Sequence, residues 1–166
     1  HGNVILVTDA NGNTAERTYD FANRLITELT YGLDEGGVSA AQYLQYAYDS
    51  EGHLRFAVDA AGQVTEYEYT AAGQLLRTVR YPEHDYAVGP ATISEAGMES
   101  WAGGLADLSS IQITQNSYDA RGGLISTTSY GAADASGAPF TSEGVTTSYN
   151  VFDQAGRLLE RHAEGQ

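Results

Sequence analysis

A chain of 166 residues with 42% hydrophobic content is long enough to bury one core or to form one stretch of a repeat array. Its 22 acidic residues face only eight basic ones, every one an Arg, and the net charge of −14 disfavours nucleic-acid and anionic-membrane partners. There is no Cys, which removes disulfides and thiolate metal sites, and no apolar run nears the roughly 20 residues of a membrane-spanning helix.

The first turn signal is Asp9-Ala10-Asn11-Gly12-Asn13. It begins like a calcium loop, but Thr14 stands where such a loop needs Gly and Asp20 where it needs a bidentate Glu, so a hairpin turn is the better reading. Next comes a phrase that recurs five times: an aromatic, usually Asp, two small or polar residues, Gly or Asn, one residue, then Leu. Its signature residues are Tyr19, Asp20 and Leu25; Tyr48, Asp49, Gly52 and Leu54; and Tyr69, Gly73 and Leu75. The last two copies carry Tyr118, Asp119, Gly122 and Leu124, then Phe152, Asp153, Gly156 and Leu158. Asp can cap its own turn through its carboxylate and Gly supplies the positive φ that closes a tight hairpin; Asn23, standing for Gly in the first copy, is the next-best residue there. Asp59-Ala60-Ala61-Gly62 is the same turn without the aromatic. Arg24 and Arg157 fill the slot before the phrase Leu and can pair with the Asp of a neighbouring turn, a contact worth about 0–1 kcal/mol when exposed.

Between turns the chain alternates in steps of two. The rows Leu25/Thr27/Leu29/Tyr31, Leu44/Tyr46/Tyr48 and Leu54/Phe56/Val58 are apolar, and Thr65/Tyr67/Tyr69 oppose Glu66 and Glu68. β-Branched and aromatic residues dominate these rows, which favours strands, and the phrase Leu residues are expected to face a buried side. Tyr31, Tyr81 and Tyr130 each close a strand before an irregular stretch, giving insertions at about 32–42, 82–110 and 131–144. The middle insertion predicts a short helix, with Thr92 as N-cap of a Thr92-to-Glu95 capping box and with Trp101, Leu105 and Leu108 on one face docked against the sheet. The expectation is an all-β chain, residues 1–166 forming a single segment of an antiparallel β-hairpin array with one short helix in an insertion.

The four His residues, at positions 1, 53, 84 and 162, lack zinc spacing, and no nucleophile elbow or phosphate-binding glycine loop occurs. Glu95 and Glu99, spaced to share a helix face, read as a solvated pair. No catalytic residue, metal ligand or cofactor site is nominated, and the reading is not that of an enzyme.

The phrase resembles the YD repeat of the RHS family, whose Gly-Arg-Leu and Gly-x-Val-Thr elements stand here as Gly156-Arg157-Leu158 and Gly62-Gln63-Val64-Thr65. The resemblance implies a YD-repeat antiparallel sheet that spirals into a hollow shell, or a part of a very large bacterial surface protein. Toxin-type shells of the family end in an Asp-Pro-rich self-cleaving motif, and none of Pro82, Pro90 and Pro139 follows an Asp. The implied function is structural: an extracellular or cell-surface β-repeat segment forming a shell, stalk or filament, partnered by other copies or neighbouring repeats. The alternatives are a carbohydrate-binding adhesin module and a shell section around a toxin. The turn rhythm also carries across a join between the C-terminus and a second N-terminus. One expectation is therefore that 166 residues are one period, with Val4–Thr8 or Leu158–His162 pairing with another copy; the other is a boundary falling anywhere in an array of unequal repeats.

Overall fold

The structure is a computed structural model that describes residues 3–8, 14–33, 39–141 and 144–165. Among these, eleven strands form one open antiparallel sheet in which strand order follows chain order. They are β1 (Val4–Thr8), β2 (Thr14–Tyr19), β3 (Leu25–Leu33), β4 (Ser39–Tyr48), β5 (Leu54–Val58), β6 (Val64–Tyr69), β7 (Leu75–Tyr81), β8 (Gln112–Tyr118), β9 (Leu124–Tyr130), β10 (Val145–Phe152) and β11 (Leu158–Gly165). One helix, α1 (Glu95–Gly103), stands between β7 and β8. The all-β reading with one short helix therefore holds. The possible calcium loop at Asp9–Asn13 lies outside the described residues.

The chain divides into two compact units, His1–Val64 with Asp85–Gly103, and Thr65–His84 with Gly104–Gln166. In the first, Ala47, Phe56, Val58, Val64 and Met98 are buried. The insertion after β7 makes this core. Met98 of α1 is buried, Gln45 donates from Nε2 to the carbonyls of Gly89 (3.1 Å) and Ala91 (2.6 Å), and Tyr86 N–H bonds the Gly62 carbonyl at 2.8 Å. In the second unit Val79, Tyr81, Ile111, Ile113 and Ala133 are buried. There Leu108 N–H bonds the Ala135 carbonyl, and the Tyr81 hydroxyl donates to Glu66 at 2.7 Å; burial, with that carboxylate beside it, pushes the Tyr81 pKa well up.

Several expectations are corrected. The row Leu44/Tyr46/Tyr48 is only half-buried, while Gln45 and Ala47 on the opposite face are buried, because it is over that face that the insertion lies. The phrase residues Leu25, Leu54, Leu75 and Leu124 are half-buried and Leu158 is 50% exposed. Of the stretch 32–42, the described residues 32–33 and 39–42 are strand, with Gly32 opposite Ala40 and Leu33 opposite Ser39. The helix begins two residues later than the capping-box reading: Ser94, not Thr92, is the N-cap, its Oγ accepting from Gly97 N–H at 3.2 Å. Trp101 is half-buried and meets the Tyr86 ring edge-on at 5.9 Å, while Leu105 and Leu108 lie beyond the helix end. Glu95 and Glu99 are not merely solvated, since both approach Arg55, at 3.1 and 3.6 Å.

Candidate functional site

The constellation that recurs along this chain is the turn itself. At Asp20, Asp49, Asp59, Thr70, Asp119, Asp134 and Asp153 the same hydrogen bonds appear. The backbone N–H of the fourth turn residue donates to the carbonyl of the first at 2.9–3.2 Å, and the first residue's N–H donates to the carbonyl four residues on at 2.8–3.1 Å. The fourth residue is left-handed each time: Asn23 at φ 62°, and Gly52, Gly62, Gly73, Gly122, Gly137 and Gly156 at φ 74–97°. This is the three-residue hairpin loop closed by a left-handed residue, and it explains why Gly or Asn is needed at that place in each phrase.

The leading side chain completes the turn. Oδ1 of Asp20 accepts from the N–H groups of Ala22 and Arg24, both at 2.9 Å, and Asp153 repeats this with Ala155 and Arg157 at 2.9 and 2.8 Å. Thr70 does the same through its hydroxyl at a longer 3.2–3.3 Å. The Asp134 turn, with Ser136 and Ala138 as donors, sits inside the stretch read as an irregular insertion. Its Asp-x-x-Gly spelling, Asp134-Ala135-Ser136-Gly137, was the signal that could have found it. Arg24 and Arg157 pair with the Asp of their own turn, at 2.7 and 2.8 Å, and not with a neighbour's.

These bonds hold carboxylates ionised. The backbone bond from Arg24 is the largest cause lowering the Asp20 pKa, and that from Arg157 does the same for Asp153. A carboxylate whose folded pKa lies below its unfolded value near ~3.9 contributes stability that is complete above that value and lost as pH falls through the folded pKa. In Asp20→Asn/Asp153→Asn the drop in melting temperature below about pH 4 should be shallower than in the parent, as followed by circular dichroism. Parallel curves would show that these carboxylates do not act through their charge.

The aromatic of the phrase has its own task. Four pairings slip by one residue after the phrase Leu, leaving Ile26, Arg55, Ile125 and Leu159 as extra residues in β-bulges. The Leu25 carbonyl then accepts from the Tyr48 hydroxyl at 2.8 Å, and the Leu75 carbonyl from the Tyr118 hydroxyl at 2.7 Å. Where Phe152 replaces Tyr and has no hydroxyl, Asn150 donates to the Leu124 carbonyl instead at 2.8 Å. Leu75 has a second donor in Asn116, at 3.0 Å. Tyr48→Phe should therefore cost about 1 kcal/mol or more and Tyr118→Phe less, measured by denaturant midpoints. Equal costs would refute this division of labour.

Side chains also link one turn to the next. Arg24 reaches the Asp49 carbonyl at 3.3 Å and lies 4.6 Å from the Tyr48 ring centroid. In the second unit Gln74 reaches the Gly122 carbonyl at 3.0 Å and Arg121 the Gln154 carbonyl at 2.8 Å.

One turn gathers a group spaced to hold a metal ion. Asp49, Glu51 and His53 bring their ligand atoms within 4.8 Å of one another. His53 Nδ1 lies 2.9 Å from Asp49 and 3.7 Å from Glu51. His53 occupies the slot that Arg24 and Arg157 fill elsewhere and makes the same contact with its turn Asp, which accounts for the cluster as part of the turn.

Residues 48–85 match the family model described as RHS Repeat. No curated protein matches. The crystal structure of TcdB2-TccC3-TEV is similar in fold, with a TM-score of 0.57 and 18% identity over 96% of this chain, which spans only 7% of the chain matched. The crystal structure of TcdB2-TccC3 also matches, at a TM-score of 0.27 and 14% identity, over 90% of this chain and 11% of that one. The resemblance read from the phrases thus holds: residues 48–85 are similar to an RHS repeat, and the antiparallel sheet is similar in fold to that of TcdB2-TccC3-TEV.

Proposed function

We propose that this chain is a structural segment of a larger extracellular bacterial RHS-repeat protein, whose sheet is continued by neighbouring repeats into a shell, stalk or filament. The reading is non-catalytic, and the phrase residues matter for architecture. The observation that carries it is the way a phrase completes the one before it within each unit, through the hydroxyl or amide donated to the preceding Leu carbonyl and the turn-to-turn bonds. A unit whose backbone is satisfied by the next unit is stable in proportion to its neighbours. The edge strands support the same reading: Val4, Ile5, Leu6 and Val7 of β1 are 38–67% exposed, and Leu158 and Leu159 of β11 are 50% and 67% exposed. An exposed apolar edge strand is a template for pairing. Two copies of the chain fused in tandem should melt at a higher temperature than one. If the tandem melts with the single copy, continuation of the array is refuted.

A second reading, recognition of a cell-surface carbohydrate, is favoured by one groove of about 300 Å³ in the second unit. Thr78, Thr114, Ser129 and Thr146 align there across four strands, with exposed Arg80 and Gln112 beside them. Saturable retention on a glycan array, lost in Arg80→Ala, would support this reading.

A further inference from the structure

In the first unit the insertion covers the sheet unevenly. Over β4 and β5 it closes on Gln45, Phe56 and Val58, which are 0–1% exposed. Towards β2 and β3 the same face opens beneath Pro90 into a cavity of about 330 Å³, lined also by Glu16, Thr18, Thr27, Leu29 and Tyr43. The register sets these side chains in two rows, Thr18 opposite Thr27 opposite Gln45, and Glu16 opposite Leu29 opposite Tyr43. The volume lies at the small end of ligand pockets.

One group of the lining and its cross-strand neighbour lack partners. Thr27 is 7% exposed, and its Oγ1 makes no hydrogen bond. Gln45, its cross-strand neighbour, is fully buried and its Oε1 makes none either. The Gln45 amide cannot flip to cure this, because its Nε2 is committed to the carbonyls of Gly89 and Ala91. Buried polar atoms of this kind are normally satisfied, so the exceptions need an explanation. Lining the same cavity, the half-buried Glu16 has no ion pair or hydrogen bond among the described residues. The lining thus offers a carboxylate, hydroxyls and, next to them, an amide oxygen, with no cation among them. It asks for a ligand that donates and is not an anion. The faces of Leu29, Tyr43 and Pro90 suit an aliphatic stem, and an aromatic ring attracts a cation.

We propose that this cavity binds a primary alkylammonium group, three N–H donors and one positive charge on a methylene stem, carried by a free diamine or by a lysine side chain. The chain has no Lys of its own, so no lysine side chain within it competes for the site. The proposal is independent of the array reading, since it concerns a single folded chain.

The test is saturation-transfer NMR on the 166-residue chain with n-butylammonium, 1,4-diaminobutane and Nα-acetyl-lysine methylamide. The amines should bind. The Nε-acetylated lysine derivative, which has lost the charge, and glucose should not. Stronger binding of the diamine or of the lysine derivative supports the proposal in either case and identifies the source. Glu16→Gln should weaken binding about tenfold or more, as expected for loss of a charged hydrogen-bond partner. Thr27→Val should weaken it as well while leaving the melting temperature unchanged or raised, because the orphaned hydroxyl is gone. Silence from every amine, meaning that water alone fills the cavity, would overturn the proposal. So would glucose binding as well as n-butylammonium, or both variants binding like the parent.

Discussion

Replacing Phe56 by Ala should destabilise the chain by about 3–5 kcal/mol, the range for deleting a fully buried aromatic side chain. Phe56 is 0% exposed and stands opposite Ala47, on the face over which the insertion carrying Met98 closes. Neither neighbour can collapse far into the space, since Ala47 is already small and Met98 is held on α1. The contrast is Leu158→Ala on β11, where a half-exposed side chain has less to lose and the cost should stay below about 1 kcal/mol. Chemical denaturation of both variants reads the comparison. A Phe56→Ala cost near that of Leu158→Ala would mean that the insertion does not close over β5 in solution.

The turns were legible in the sequence because their cause is local. Asp caps within its own turn, and Gly or Asn is forced by a left-handed backbone, so the spelling alone locates the hairpins and strands. Burial was less legible because its cause is not local. Gln45 reads as a polar residue on the outer face of an alternating strand, yet it is fully buried because two carbonyls 44 and 46 residues later meet its amide. The bulges after Leu25, Leu54, Leu124 and Leu158 also break the alternation on which the rows were read: in β5 the extra residue is Arg55, which reaches α1 from a position assigned to the opposite face from Phe56. The role of the aromatic was hidden for the same reason. Nothing near Tyr48 in sequence announces that its hydroxyl serves Leu25, 23 residues earlier. The cavity beneath Pro90 was invisible too, being made by register across three strands and a roof from a distant segment.

Gly62→Ala should be among the most damaging single methyl additions to this chain, at about 3 kcal/mol or more, and comparison with Gly156→Ala shows why. Both glycines close a turn at positive φ, +88° and +78°. A Cβ at either therefore carries the left-handed penalty of about 1–2 kcal/mol. At Gly156 nothing lies within 4 Å of the added carbon, so that penalty is the whole cost. At Gly62 the carbon would lie 2.6 Å from the Tyr86 carbonyl oxygen and 3.4 Å from the Tyr86 nitrogen. These are backbone atoms, and they cannot swing away as a side chain would. Tyr86 is moreover tied to this turn by its own N–H, bonded to the Gly62 carbonyl at 2.8 Å, so relieving the clash means breaking the bond that anchors the insertion. The damage should spread along that segment: Trp101, edge-on to Tyr86, should show red-shifted emission in Gly62→Ala and none in Gly156→Ala. Equal losses of stability in the two variants, with Trp101 emission unmoved in both, would show that the turn at Asp59–Gly62 does not hold the insertion.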